Sequence, residues 1–338
     1  MPLTGTDEEM SQGESASRLR GRVLVTGATG FLGGAAAAAL SSAGCAVLRG
    51  ARSSPGSARD GEAWIGYGEI GPETNWDVAL DGVHTIVHAA GLAHLEDRAG
   101  AAERLWQVNV GGAASLAACA VARRVSRFIL ISSVAVNGST TAGRPFSEDS
   151  GEHPDNSYAL SKLEAEMRLK DIARGTGMEC VILRPPLVYG FGARGNFRRL
   201  VNLVRSGLPL PLGSATAPRS FIAIDNLTSV VRRCVEHPAA ANQTFLVRDA
   251  ELASTVHLIH GIAAALGRRV WTPRIPASVM RAAFNLAGRE GDFRRLFAPL
   301  DIDCGKVRKL LDWSPTVSMA EGLRRATATA PVSLLDTA

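Results

Sequence analysis

Thr26-Gly27-Ala28-Thr29-Gly30-Phe31-Leu32-Gly33 follows directly on the apolar run Arg22-Val23-Leu24-Val25 and leads into the alanine-rich stretch from Ala35 to Leu40. A short β-branched run that ends at glycines reads as a buried strand, and the alanines beyond it read as a helix. The octapeptide is therefore a strand-to-helix turn. Gly27 can take the tight turn, Gly30 lets the backbone approach a ligand, and Gly33 lets helix and strand pack closely. The helix start presents N–H groups and a partial positive charge, which suits a pyrophosphate. Among 35 glycines a three-glycine pattern is weak by itself. Its position in the first strand–helix unit makes it a dinucleotide turn.

Outward from this turn the pattern repeats. Short apolar runs at 45–48, 83–88, 127–132 and 180–183 alternate with helical stretches such as 101–123 and 158–174. Strands apolar on both faces, with helices between them, predict an α/β fold: a Rossmann-type doubly wound parallel sheet. After Pro185 the rhythm becomes irregular. A Gly/Pro-rich stretch over 190–218 encloses a helix at 197–205, and a strand-like 219–222 leads to a helix from Asp225. Another strand is expected at 243–247, and 254–330 reads as mostly helical, broken by Pro273, Pro276, Pro299 and Pro315. The expected organisation is a flexible tail over 1–19 and a dinucleotide-binding domain over 20–185, with return segments near 220–250. A smaller, mixed, mostly helical substrate-binding part is expected from 186–219 and 251–330.

With 46% hydrophobic and 20% charged residues, the 338-residue chain has ample material for a core. Disordered, collagen-like and coiled-coil classes fail on composition. The run from Ala35 to Leu40 is far short of the roughly 20 apolar residues of a bilayer span. Asp7, Glu8 and Glu9 stand where a signal peptide has basic residues. No membrane partner is expected. Cys45, Cys119, Cys180, Cys234 and Cys304 are scattered and never spaced C-x-x-C. That argues against zinc and disulfides and fits a reducing cytoplasm. The balance of 37 basic against 32 acidic residues is +5, with arginines only in short pairs. Such a surface does not suggest nucleic acid, and it favours a small anionic substrate. His84 with His88 and His257 with His260 lack a surrounding ligand set, so no metal is expected. No Gly-x-Ser-x-Gly elbow of a hydrolase is present.

Of three tyrosines, only Tyr158 has a lysine four residues on, Lys162. On a helix that spacing puts both side chains on one face. An ammonium beside a phenol favours the phenolate, which makes Tyr158 a proton donor and acceptor for a carbonyl or alcohol. Ser133, at the end of the strand over 127–132, could hydrogen-bond the same oxygen. After the second strand, where a carboxylate commonly holds a ribose 2′-hydroxyl, this chain has Leu48-Arg49-Gly50-Ala51-Arg52. Arg49 or Arg52 could pair with a 2′-phosphate, a tilt towards NADP that leaves NAD open.

The chain resembles the extended short-chain dehydrogenase/reductases, in their nucleotide-sugar epimerase/dehydratase branch, from about Arg22 to Ala326. The matching pieces are the glycine turn, His88-Ala89-Ala90-Gly91, Asn109-Val110, Ser132-Ser133, Tyr158-x-x-x-Lys162 and Leu183-Arg184-Pro185. Later come Arg219-Ser220-Phe221-Ile222, Asp225-Asn226-Leu227 and Leu311-Asp312-Trp313-Ser314-Pro315. The resemblance implies that Gly27, Gly30, Phe31, Leu32 and Gly33 line the pyrophosphate and that Glu69 and Ile70 lie near adenine. It places Ala89, Ala90 and Gly91 beside the cofactor, with Asn109 and Pro185 on the same side. Tyr158 would be the acid/base, Lys162 would hold the nicotinamide ribose, and Ser133 would orient the substrate oxygen. Arg219 and Asn196 would grip a substrate diphosphate. Asn137 stands where relatives often have tyrosine, so the pocket differs there.

The stretch from Ser132 to Tyr158 is most similar to a bacterial subgroup acting at C4 of UDP-linked N-acetylated sugars. Its members are 4-epimerases or 4-keto-6-deoxy reductases in surface-polysaccharide assembly. Relatives pair through two long helices, which here implies a homodimer through 101–123 and 158–174. Two other readings compete. One is an NADPH-dependent reductase of a non-sugar ketone, for which Arg219 has no use. The other is a non-catalytic NADP sensor, which needs neither Tyr158 nor Lys162.

Overall fold

The structure, a computed structural model, describes residues 21–55, 61–93 and 100–328; the tail expected over 1–19 lies outside them. The strands are β1 (Arg22–Thr26), β2 (Val47–Ala51), β3 (Ala63–Gly66), β4 (Val83–His88), β5 (Arg127–Ile131), β6 (Glu179–Arg184), β7 (Leu187–Tyr189), β8 (Phe221–Ala223) and β9 (Thr244–Leu246). Seven form one sheet in the order β3-β2-β1-β4-β5-β6-β9, with every pair parallel. β7 and β8 pair separately, also in parallel. The strand order reverses at β1, between β2 and β4. In sheets of this kind the crevice at that switch point is where ligands bind.

The helices are α1 (Phe31–Ser42), α2 (Ala101–Ala122), α3 (Ser157–Ala173), α4 (Asn196–Arg205), α5 (Ile224–Glu236), α6 (Thr255–Ala265), α7 (Ala277–Leu286), α8 (Glu290–Phe297), α9 (Gly305–Leu311) and α10 (Met319–Thr327). Alternation along the strands explains why they read as continuous apolar runs. Val23, Val25 and Ile129 face one way, onto Ala37 and Leu40 of α1 and Val230 and Cys234 of α5. Leu24, Phe128 and Leu130 face the other way, onto Leu116 and Ala117 of α2 and Ala165 and Leu169 of α3. A third cluster joins Phe197, Leu258, Ile262, Phe297 and Leu323 of α4, α6, α8 and α10.

Asn226 and Asp249 fasten the later segments. Asp249 accepts from the Tyr189 hydroxyl at 2.6 Å, the Ala223 N–H at 3.0 Å and the Asn226 amide at 2.7 Å. Asn226 in turn accepts the N–H groups of Thr316 and Val317, both at 3.0 Å, and donates to the Val317 carbonyl at 2.8 Å.

Several sequence expectations move. The strand expected at 45–48 lies at Val47–Ala51, and the one expected at 219–222 starts only at Phe221, because Arg219 makes isolated bridges to Ala253 and Leu300. β3 and β7 were not expected: β3 is a half-exposed edge of four residues, and β7 is three residues behind Pro185-Pro186. α2, at the length expected over 101–123, is long and apolar enough to cross a bilayer by composition. It instead lies on the sheet with Leu105, Ala113, Leu116, Ala117 and Ala120 buried. Within it, Trp106–Gly112 is π-helical.

Candidate active site

The glycine turn forms a cradle with no room for side chains. Gly27 has φ +69°, and a Cβ there would lie 2.9 Å from Ala90 Cα. A Cβ on Gly33 would lie 2.3 Å from the Gly27 carbonyl oxygen, so helix and strand touch through backbone alone. The Gly30 N–H donates to the Gly27 carbonyl at 2.8 Å. Gly30 caps α1 with no side-chain bond, and no acidic residue sits in the first turn, so the N–H groups and the positive dipole end remain for an anion. Tyr67 reaches across from the strand beyond, accepting the Gly27 N–H at 3.1 Å. Leu32 packs onto the core, and the Phe31 ring faces Gly190, in the loop after β7. The turn fits a dinucleotide pyrophosphate.

At the end of β4, His88 Nδ1 lies 2.8 Å from Thr26 Oγ1, which also accepts the Ala90 N–H at 3.3 Å. This ties the loop over 89–91 to the end of β1. Burial, helped by the Lys162 charge, lowers the His88 imidazole to about 3, so the ring is neutral. Asn109, in the π-helical stretch, exchanges hydrogen bonds with the Leu92 N–H at 2.8 Å and carbonyl at 3.0 Å, and donates to Ser161 Oγ at 3.0 Å. These bonds align the loop with α3. A Cβ on Gly91 would lie 2.9 Å from the Asn109 oxygen.

Ser133, just beyond the end of β5, lies beside Tyr158, and Lys162 is buried one turn further along α3. Asn156 caps α3 by accepting the Ala159 N–H at 2.9 Å, which aims Tyr158 from the first turn. The Ser133 hydroxyl lies beside the Tyr158 phenol, where it favours the phenolate, and accepts the Ala135 N–H at 3.2 Å. The expected depression of Tyr158 by Lys162 is not found. Burial pushes the phenol above its ordinary value, and the Ser133 hydroxyl is what pulls it down. Burial also lowers the Lys162 ammonium to about 8, opposed by the Glu166 carboxylate one turn on.

Glu166 was not singled out in the sequence, though it continues the i, i+4 spacing of Tyr158 and Lys162. Fully buried, it accepts from Ser132 Oγ and from Arg184, at 3.0 Å from Nε and 2.6 Å from the terminal nitrogen. Arg184 further donates to Asn137 Oδ1 at 3.1 Å and Glu152 at 3.2 Å. Asn137 is thus turned into the interior, and its amide donates to the Ser150 carbonyl at 3.1 Å. The next residue after Arg184, Pro185, takes the Val134 N–H at 3.0 Å, holding the loop after Ser133 against β6.

The two arginines of the second strand separate. Arg49 is buried, paired with Glu62 at 3.2 Å, its guanidinium 5.8 Å from the Trp64 ring centre. Those contacts use it in the sheet edge and point away from a 2′-phosphate role. Arg52 is exposed just beyond β2 and bonds Glu69 at 3.0 Å; Arg104 of α2 reaches the other Glu69 oxygen at 3.6 Å. Ile70 packs so closely on α2 that a Cβ on Gly112 would lie 2.1 Å from its Cγ2.

Arg219 is 8% exposed. Its guanidinium donates only to main-chain carbonyls, those of Ala298 and, at 3.5 Å, Arg294, and no carboxylate pairs with it among the described residues. Burial lowers it to about 10. A buried cation lacking a counter-ion is a natural anchor for an anionic group. Asn196 begins α4, half-exposed, after Gly195 at φ +68°.

Comparison with known proteins agrees with this arrangement. The model of the NAD dependent epimerase/dehydratase family matches residues 23–247. A UDP-glucose 4-epimerase of Vibrio cholerae is 35% identical, covering 90% of this chain and 93% of its own. A ceramide reductase of Caulobacter vibrioides is 28% identical, covering 91% of this chain and 90% of its own. The solved structure of a UDP-glucuronic acid 4-epimerase from Bacillus cereus in complex with NAD shares the fold, with a TM-score of 0.73 at 22% identity over 90% of this chain and 96% of that one. Since the family match holds both the glycine cradle and the Ser133–Tyr158–Lys162 set, this chain belongs to the NAD-dependent epimerase/dehydratase family.

Proposed function

We propose that the protein is a 4-epimerase of a UDP-linked sugar, working with NAD or NADP in the assembly of surface-polysaccharide precursors. The observation that carries this reading is Arg219, a buried cation awaiting an anion in the later part of the chain. The 35% identical UDP-glucose 4-epimerase supports it. Gly27, Gly30, Gly33 and the start of α1 hold the cofactor pyrophosphate, Ala89, Ala90 and Gly91 flank it, and Arg52, Glu69 and Ile70 border the adenosine. Lys162 holds the nicotinamide ribose. The bound nicotinamide supplies a hydride acceptor and donor at the sugar C4. The Tyr158 oxygen would accept the proton of the C4 hydroxyl and return it to the same oxygen, which requires bound cofactor and substrate to offset the burial that raises the phenol. Ser133 shares that oxygen and steadies it. Arg219, with Asn196, grips the diphosphate, so remote binding energy orients the sugar.

We assign the substrate-binding part to 186–219 and 251–330, and the dinucleotide part to 20–185 with return segments near 220–250. Exposed Trp106 on α2 and Leu160 and Met167 on α3 suit a homodimer through those helices. All five cysteines are free, which suits the cytoplasm.

A second reading, a 4-keto-6-deoxy sugar reductase, is favoured by one observation: the second strand ends without a carboxylate and with exposed Arg52. The nicotinamide cofactor released by acid denaturation of freshly purified protein separates the two. One NAD per chain, retained through purification, is expected of the epimerase, whose cycle regenerates its cofactor. An empty protein that then binds NADPH more tightly than NADH would replace this reading with the reductase. Failure to turn over any UDP-sugar would sink both.

A further inference from the structure

α7 carries an apolar face on which nothing packs among the described residues. Met280 is buried and Phe284 half-buried towards α8, where the Phe284 and Phe293 rings lie 6.1 Å apart. On another side Val279, Ala282, Ala283 and Leu286 follow the i, i+3, i+4, i+7 spacing of a single stripe. All four are exposed, Leu286 at 92%. The loop entering the helix exposes Trp271 at 69%, and its carbonyl takes the Leu210 N–H at 2.9 Å, two residues from exposed Leu208. Single exposed apolar residues are ordinary on a protein surface, whereas a stripe of them along one helix marks an interaction site.

The charges around this face are one-sided. Between Glu251 and Glu290 there is no acidic residue, but there are five arginines, Arg268, Arg269, Arg274, Arg281 and Arg289, all exposed. Over 252–297, seven arginines stand against Glu290 and Asp292, an excess equal to the +5 of the whole chain. The remainder of the protein is neutral on balance. Arg281 pairs with Glu290 at 3.8 Å and Arg289 with Asp292 at 2.6 Å. Arg268 donates to the Arg205 carbonyl at 2.6 Å. Arg269 and Arg274 have no carboxylate within pairing distance among the described residues.

An apolar helical stripe, preceded by a loop exposing a tryptophan and surrounded by arginines that outnumber the acidic residues, is the make-up of a helix lying in a membrane interface. We propose that α7 and the loop over 267–276 dock this protein on the surface of an anionic phospholipid bilayer, with the stripe at the acyl boundary and the arginines among the headgroups. The absence of a membrane partner was expected from the shortness of apolar runs, an argument that applies to spanning segments and not to a helix lying flat. A second copy of the chain is disfavoured as the occupant, since two arginine-bordered faces repel. α8 links the docked face to the site, because the carbonyls of Arg294 and Ala298 accept from Arg219.

The test is co-sedimentation of the full chain with sucrose-loaded vesicles of phosphatidylcholine alone or mixed with phosphatidylglycerol. Binding to the mixed vesicles is expected, at least tenfold weaker on pure phosphatidylcholine and weakened by salt. The double variant Val279→Ser/Leu286→Ser is expected to lose tenfold or more of that binding with unchanged melting temperature, as is Arg269→Glu/Arg274→Glu. No binding to the mixed vesicles overturns the proposal, as does binding that both variants retain. A wild-type dimer that Val279→Ser/Leu286→Ser dissociates, without vesicle binding, overturns it in favour of a second copy. None of these readouts uses a sugar substrate, so they are independent of the proposed epimerase activity.

Discussion

The end of β6 and the segment before β8 each bury an arginine, and the two are treated in opposite ways. Arg184 lies against the carboxylates of Glu166 and Glu152, whereas Arg219 meets only main-chain carbonyls. Burial works against both charges. At Arg184 the carboxylates overcome it and the guanidinium is held above its ordinary value; at Arg219 nothing does, and it falls to about 10. A buried ion pair contributes little net stability but becomes costly when one member is lost. A buried lone cation is already costly, and an arriving anion recovers that cost. One arginine is therefore consumed in holding neighbouring side chains, and the proposed function keeps the other for a ligand.

The largest effect is expected at the paired end, where Tyr158→Phe should lower kcat about 10²- to 10⁴-fold while cofactor affinity changes little. A kcat within tenfold of wild type would remove Tyr158 from proton transfer. Arg184→Met strands Glu166 and should cost about 3–5 kcal/mol, read from denaturant midpoints. Arg219→Met should cost no stability and raise KM for a UDP-sugar roughly 10- to 100-fold, as loss of a charge-assisted contact implies. If Arg219→Met destabilised as much as Arg184→Met, the contrast between the two would vanish.

His88 adds a pH dependence to the paired end. Its native value of about 3 lies below the ordinary 6.5, so between those limits the unfolded chain binds a proton that the native one does not. Its contribution is complete above about pH 6.5 and is lost as pH falls towards 3, on the order of a kcal/mol per pH unit. Urea titrations of wild type and His88→Gln should diverge as pH falls from 6.5, with the variant's profile the flatter. The smallest effect is expected at Arg52→Ala, which under the reductase reading should cost a few-fold of the preference for NADPH over NADH, because the side chain is exposed and shared with Glu69.

Much of the paired end was legible because its signals are local. The glycine turn and the Tyr158–Lys162 pair each lie within one turn of helix or one loop, where spacing alone fixes geometry. Which of Arg49 and Arg52 faces a ligand depends on strand ends and on Glu62, a partner supplied by a strand the sequence did not reveal. The three-residue β7, behind two prolines, carries too little periodicity to be recognised. Glu166 was visible as one more i+4 step, but its partner Arg184 comes from β6, and only the fold brings them together. Asn137 shows the same limit: its motif position suggested a pocket residue, and long-range bonds to Arg184 and Ser150 turn it inward.

The fastening of Asn226 by Thr316 and Val317 has a consequence in time. A chain growing from its amino end already contains every strand of the main sheet once Leu246 is added. The backbone groups that complete the Asn226–Asp249 cluster come about seventy residues later, roughly 4 to 14 seconds at ordinary translation rates. During that interval the nucleotide-cradling half is free to assemble on the ribosome, while the half bearing Arg219 is still unlatched. The order of synthesis thus separates the birth of the two halves, and the last helix, α10, follows the clasp that closes them.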